Sequence, residues 1–393
     1  MDKLWNSNYI KVMTANFLLY FAFYLFTPLL PLYLLDNFGS TKDVIGLVLS
    51  GYTLAALLAR PFSGYLVDSF PRKRVLMVCF VLFFVFFAGY LAAGTLLLFT
   101  IIRTLHGVPF GSLTVANSTV AIDVLPASRR TEGIGYFGLS NNLAMAFAPS
   151  VGIYLYKISD RFELLFWISL GIALLGLLTA AAVKLPVKAI VPDKSKISLD
   201  RFFLTNGWML AVNIAFFAFC YGVLNNYLPI YSQEVMGITG GAGTYFMVLA
   251  GGLFVSRLQG AKALRAGRLT QNAGTGILIS LAGYILFVVC PNTWGYFGSA
   301  LLIGLGNGHM YPAFLNMFIG VARHNQRGTA NSSILISWDA GFGLGILMGG
   351  FVAETLGYSA AFWMVVGVNA VGVVLFFLAT RSFFLRRKLE RKE

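Results

Sequence analysis

The chain has 393 residues, 58% of them apolar and only 11% charged, with a formal net charge of +14. Soluble domains carry about 25% charged residues, so this chain cannot clothe a water-facing surface. Twelve bilayer spans of about 20 apolar residues each would take about 240, close to the ~228 that 58% of 393 represents. The composition excludes a string of soluble domains and points to a polytopic membrane protein.

The first apolar run, 11–35, follows Met1-Asp2-Lys3 and ends at Asp36-Asn37-Phe38-Gly39 with no small-residue cleavage site. It is therefore expected to stay in the protein as a first span rather than leave as a signal peptide. Further runs of span length fall at 43–67, 75–93, 96–121, 132–157 and 162–184. A second set falls at 206–233, 241–260, 270–289, 294–319, 329–354 and 360–384. Between the sets, Leu185–Thr205 holds two prolines, three lysines and two aspartates, the longest polar interruption. The expected organisation is an all-α membrane protein: a six-helix bundle over 1–184, a cytoplasmic linker over 185–205 and a second six-helix bundle over 206–393. Cys79, Cys220 and Cys290 lie in apolar stretches, without metal-ligand spacing or a disulfide framework. Neither a metal nor a cofactor is expected.

Charge placement orients the spans. With the N-terminus inside, most of the 29 Lys and Arg fall on cytoplasmic segments, among them Arg72-Lys73-Arg74, Arg129-Arg130 and the C-terminal tail. Only Lys42, Lys157 and Arg161 would face outside, while Arg60 and Arg103 lie within spans. The positive-inside rule then puts both termini in the cytoplasm. The basic character is a topology signal, and no basic patch interleaved with aromatics points to nucleic acid.

The two halves repeat. Leu30-Pro31-Leu32-Tyr33 returns as Leu228-Pro229-Ile230-Tyr231. At a spacing of 197 residues (107 to 304), Gly107 and Gly111 fall on Gly304 and Gly308, Arg60 on Arg257, Arg130 on Arg327 and Gly152 on Gly349. Each half starts inside and has an even number of spans, so the halves share one orientation. Such parallel repeats are a transporter architecture, with the site expected where the halves meet.

Between spans two and three stands Gly64-Tyr65-Leu66-Val67-Asp68-Ser69-Phe70-Pro71-Arg72-Lys73-Arg74. It resembles the signature loop of the major facilitator superfamily, with Pro71 in place of the usual turn glycine and Ser69 in place of a frequent basic residue. Gly64 permits close helix approach, Asp68 can accept hydrogen bonds at a helix end, and Arg72 and Lys73 supply the charges of a cytoplasmic gate. The alternative is that the basic residues only anchor topology, a role that Gly64 and Asp68 would not share. The next cytoplasmic loop, with Asp123 and Arg130, also resembles the family and is expected to brace the same face by charge pairing.

Span four carries Arg103-Thr104-Leu105-His106-Gly107, which resembles the superfamily's second motif with His106 where glutamine is common. An intramembrane arginine is costly and defaults to a functional reading. The resemblance associates Arg103 with proton coupling, and His106 titrates near neutrality in its ordinary state. A structural ion pair for Arg103, and a satisfied hydrogen bonder for His106, are the alternatives. Span five keeps Pro149 and Gly152 of the glycine-proline pattern found in the family's exporters, with Ala144 and Ala148 where glycines are usual and Ile153 for the last one. The helix bend at Pro149 is expected to survive.

Asp339 is the one carboxylate near the middle of a span in the second half, at about 15 Å from the span's start at 1.5 Å per residue. His309 lies at a similar depth in span ten. The pair is a candidate proton site, or a site for a cationic group of the substrate, against the alternative of an Asp339 that only packs. Asn142 is the repeat counterpart of Asp339. The resemblance implies a cavity lined by spans one, four, seven and ten, which adds Asn16, Tyr20, Tyr24, Tyr221, Asn225, Asn226 and Tyr311 to Arg103, His106, Asn142, His309 and Asp339 as candidate substrate contacts.

These readings converge on a secondary active transporter of the bacterial inner membrane, monomeric, that exports small amphipathic molecules against protons by alternating access. It resembles the twelve-span drug/proton antiporters and sugar-efflux permeases. A proton symporter importing a sugar, an organic acid or a metallophore is the alternative. A membrane enzyme lacks support, since no nucleophile stands with an adjacent base and no glycine-rich phosphate loop opens a helix.

Overall fold

The computed structural model describes residues 3–40, 42–185, 202–238 and 242–388. Among them every regular element is helical. The linker expected over 185–205 lies largely outside the described residues.

The first half runs α1 (Ser7–Phe26), α2 (Leu30–Phe38), α3 (Lys42–Ser69), α4 (Arg72–Leu91), α5 (Leu96–Val124), α6 (Arg130–Ser159) and α7 (Phe162–Ala181). The second runs α8 (Trp208–Glu234), α9 (Ala242–Arg265), α10 (Leu269–Val289), α11 (Thr293–Val321), α12 (Arg327–Leu356), α13 (Tyr358–Leu375) and α14 (Arg381–Arg387). One π turn, Phe376–Thr380, joins α13 to α14, so that pair reads as a single span. Eight of the described helices are long and apolar enough to cross a membrane by that measure alone. The others, α3, α6, α9 and α11, are diluted by polar residues such as Arg60, Asn142, Gln259 and His309. The fold is the twelve-helix, two-bundle arrangement expected from the sequence.

One boundary differs. The first span breaks into α1 and α2 at the short 3-10 turn Thr27–Leu29, with Pro28 and Pro31 each near the start of a new segment. Proline lacks the N–H that an interior helical position must donate. The equivalent α8 carries Pro229 alone and runs unbroken.

The chain forms two compact units. The first takes Met1–Gly133, Ser140–Phe203 and also Asn325–Ser332; the second takes Ile134–Leu139, Leu204–His324 and Ser333–Glu393. The first turn of α12 thus belongs to the N-terminal unit. Within the first unit α3 packs along α5 and α1 along α7; within the second α9 packs along α11 and α8 along α13.

The repeat is visible in local chemistry. Thr95 caps α5 by accepting the Leu98 N–H at 3.2 Å, and Asn292, 197 residues on (95 to 292), caps α11 through the Gly295 N–H at 3.0 Å. Positive-φ residues follow equivalent helices: Asp160 (φ 52°), a left-handed cap, after α6, and Gly357 (φ 88°) between α12 and α13. Gly107 lies against the Tyr52 backbone of α3, and Gly304 against the Leu249 backbone of α9, so helices approach at the same place in both units.

Candidate substrate and coupling site

Asp68 stands at the end of α3, one residue past the apolar run. Its Oδ1 accepts the Gly328 N–H at 2.9 Å; its Oδ2 accepts the Thr329 N–H at 2.9 Å and the Thr329 hydroxyl at 3.0 Å. The carboxylate therefore satisfies two of the free N–H groups at the start of α12 and sits where the helix dipole favours negative charge. Burial pushes the Asp68 carboxyl up from its ordinary range, opposed by the Thr329 and Gly328 amides, by Arg72 and by the Thr329 hydroxyl. Gly64, one helical turn earlier, makes room: a Cβ there would stand 2.8 Å from the Ser332 Cβ and 3.2 Å from the Gly328 carbonyl oxygen. Ser332 and Asn331 continue the attachment, the one donating to the Arg60 carbonyl at 2.5 Å and the other to Thr119 Oγ1 at 3.3 Å.

Arg72 joins Asp123, and its second nitrogen lies 3.4 Å from Asp68. Arg327 stands 3.8 Å from Asp123, which so lies between the two arginines. Arg130 donates to the Ile122 carbonyl at 3.1 Å. Lys73 points elsewhere: its ammonium donates to the carbonyls of Ala181 and Val183 at 2.9 and 2.8 Å, capping the end of α7.

Deeper in the first unit, Arg103 is buried among rings. Its guanidinium carbon lies 4.0 Å from the Tyr52 ring centroid, 5.4 Å from Phe23 and 5.6 Å from Phe26. One nitrogen donates to the Tyr90 hydroxyl at 3.2 Å, which leaves the Tyr90 proton for His106 Nδ1 at 2.8 Å. His106 must then carry its own hydrogen on Nε2. No carboxylate of the described residues pairs with Arg103.

Of the other expected contacts in this unit, Asn16 is committed to structure: its amide donates to Ser140 Oγ at 2.9 Å, and its oxygen accepts from Asn117 at 3.0 Å. Tyr20 and Tyr24 stack on one another at 6.1 Å, and Tyr20 meets Phe110 edge-on at 5.7 Å. Asn142 is half-buried in α6. Pro149 lies inside that helix, one turn before Gly152, which rests on the Leu25 backbone of α1.

In the second unit the Asn272 amide donates to the His309 carbonyl at 2.9 Å, which turns its oxygen toward His309 Nδ1, also at 2.9 Å. Nδ1 must therefore be a donor. The Gln259 side-chain oxygen faces Nε2 at 3.4 Å. With a carbonyl oxygen at each ring nitrogen, a doubly protonated His309 leaves no donor unanswered. Asp339 is half-buried next to Trp338, whose ring lies 5.9 Å from Tyr221 and 5.3 Å from Tyr311. Asn225 is half-buried; Asn226 is exposed and donates to the Gly222 carbonyl of its own helix at 3.0 Å.

Tyr52, Tyr90, Gln259, Asn272 and Thr329 were not among the residues singled out from sequence. The repeat spacing carried a usable signal, since Tyr52 and Tyr90 fall on Leu249 and Phe287, polar tips against apolar counterparts.

The Major Facilitator Superfamily model matches residues 12–274 and 265–393. The chain is 23% identical to the quinolone resistance protein NorA of Staphylococcus aureus, over 96% of this chain and 97% of that one. It is also 23% identical to the uncharacterized MFS-type transporter YhhS of Escherichia coli, over 94% and 92%. Among solved structures, the human organic anion transporter MFSD10 (TETRAN) superposes with a TM-score of 0.82 at 17% identity, over 94% of this chain and 98% of that one. The transporter FucP in its outward conformation gives 0.77 at 17%, over 95% and 99%. These two structures speak to the fold. With a family model spanning nearly the whole sequence and the repeat expressed in both units, the chain belongs to the major facilitator superfamily of membrane transporters.

Proposed function

We propose that this transporter exports small amphipathic molecules in exchange for protons, by alternating access. The observation that carries the mechanism is the capping of the first turn of α12 by Asp68, with Gly64 fitted against it. A helix start held by one carboxylate is a discrete contact that is either made or broken, which is what a gate requires. The two six-helix halves, 1–184 and 206–393 with the linker 185–205 between them, are the moving bodies. Both termini lie in the cytoplasm of a bacterial inner membrane, so the gate of Asp68, Arg72, Asp123 and Arg130 faces the cytoplasm.

Asp339 and His309 carry the coupling. The carbonyl oxygens around His309 welcome a proton, and Asp339 offers a second ionisable group within a span. Arg103, with Tyr20 and Tyr24 nearby, anchors the substrate. The export direction draws on the resistance named for the NorA relatives and on Pro149 in span five.

The test is proton movement, read by a pH probe inside proteoliposomes, for the wild type and Asp339→Asn against a panel of amphipathic compounds. Substrate-dependent proton flux opposite to the substrate, lost in a variant that still reconstitutes, is the expected result. Parallel flux would make the protein a symporter. Substrate movement without proton flux would leave a uniporter, and full activity in Asp339→Asn would remove that residue from the coupling.

A further inference from the structure

Both units build the same aromatic cluster. In the first, Tyr90 packs on Phe99 at 5.3 Å and on Phe166 at 5.6 Å, with Tyr33 at 5.2 Å from Phe166. In the second, Phe287 packs on Tyr296 at 6.3 Å and on Phe362 at 4.9 Å, with Tyr231 at 4.5 Å from Phe362. The residues correspond along the repeat to within one position: 33 to 231, 90 to 287, 99 to 296 and 166 to 362. What the first unit adds is polarity: Tyr52, Tyr90, Arg103 and His106 occupy the places that Leu249, Phe287, Ala300 and Ile303 fill in the second, all four of them buried.

The second unit therefore shows that this part of the fold packs without a cation or any of those polar tips. Burying an arginine without an anion is costly, and ring faces recover only a small part of that cost. A guanidinium has five N–H donors, and Arg103 Nε finds no acceptor among the described residues. The Tyr52 hydroxyl and His106 Nε2 are likewise buried without a hydrogen-bond partner. Three idle donors, one of them permanently charged, lie in one cluster: Arg103 sits over the Tyr52 ring, and Tyr52 meets His106 edge-on at 5.6 Å. A carboxylate accepts at two oxygens and would answer them.

We infer that this cluster is an anion-binding subsite, and that the substrate is an organic anion: a carboxylate or similar group carried on a flat apolar body. The inference rests on the transport reading above and names the substrate class. Phe23 on α1 supplies the wall for the apolar body. It is half-buried, stacked on Phe110 at 4.7 Å and on Tyr52 at 5.0 Å, and it already faces the guanidinium. A cationic substrate would meet Arg103 with no carboxylate between them.

The test is equilibrium binding to the detergent-purified full chain of three probes of one shape: naphthoate, naphthamide and naphthylmethylamine. Naphthoate is expected to bind at least tenfold more tightly than the other two, and Arg103→Gln to erase that preference. Tyr52→Phe keeps the ring that faces the arginine, removes only the hydroxyl, and is expected to weaken naphthoate severalfold while leaving naphthamide unchanged. It keeps the test decisive if Arg103→Gln does not fold. Equal binding of the three probes, tighter binding of the amine, or no binding of naphthoate would overturn the inference. Because binding is read without transport, a failure of proton coupling leaves this result standing, and loss of the anion preference leaves the transport reading intact.

Discussion

Asp68 holds Thr329 twice, accepting its backbone N–H at 2.9 Å and its hydroxyl at 3.0 Å through a single carboxylate oxygen. The signature loop of the N-terminal half is thus a helix cap for a residue 261 positions away in sequence. Caps of this kind contribute about 0.5–2 kcal/mol, enough to bias a two-state element by roughly tenfold. Asp68→Asn keeps the shape but replaces one acceptor oxygen with a donor that would face the α12 N–H groups. It is expected to cut the transport rate about tenfold in proteoliposomes while the purified protein stays folded. A variant transporting at the wild-type rate would show that the cap is incidental to the cycle.

Gly64 offers an orthogonal test of the same contact. A methyl group at that position would meet the Thr329 Cα at 3.1 Å as well as the Gly328 carbonyl. Backbone cannot move aside as a flexible side chain does, and such overpacking costs about 1–3 kcal/mol. Gly64→Ala should slow transport as Asp68→Asn does, whereas Gly171→Ala, where a Cβ meets open space, should be silent. Comparable rates in the two alanine variants would dissociate Gly64 from the gate.

The fold was legible because its logic is repeated. Gly107 and Gly304, matched by spacing alone, turn out to rest on the backbones of Tyr52 and Leu249, which are themselves repeat partners. The break at Thr27–Leu29 was not legible from apolarity, since a run of hydrophobic residues does not say where N–H groups are missing. The site was harder to read. Asn16 is a polar residue within a span, as a substrate contact would be, yet its amide is spent on Ser140 and Asn117. Composition gives the chemistry of a side chain but not the helix it faces. Tyr52 was one of 18 tyrosines, and apart from its apolar repeat partner Leu249 only contact with Arg103 distinguishes it.

Arg72 and Lys73, adjacent in sequence and alike in charge, should separate under mutation. Arg72 reaches Asp68 and Asp123, whereas Lys73 serves the carbonyls that end α7. Lys73→Met is expected to lower the melting temperature, by the ~0.3–1 kcal/mol of a cation at a helix C-terminus, and to leave transport near normal. Arg72→Gln should reduce transport about tenfold with little change in melting. The reverse pattern would assign the gate to the lysine.

His309 makes the sharpest claim about coupling. Asn272 fixes Nδ1 as a donor through a paired contact, its own amide N–H going to the His309 carbonyl. A glutamine at 309 fills much of the same space and still offers an N–H to the Asn272 oxygen, but it takes up no proton at physiological pH. His309→Gln should therefore fold and bind substrate with an affinity within about twofold of the wild type. It should also exchange substrate across the membrane at near-normal rate, since exchange needs no net proton movement. What it should lose is accumulation driven by a pH gradient, by tenfold or more. Parallel measurement of exchange and of gradient-driven uptake into inverted vesicles separates the two. If both fall together, His309 holds the fold or the substrate; if neither falls, the proton is carried elsewhere, and Asp339 becomes the remaining ionisable candidate in that unit.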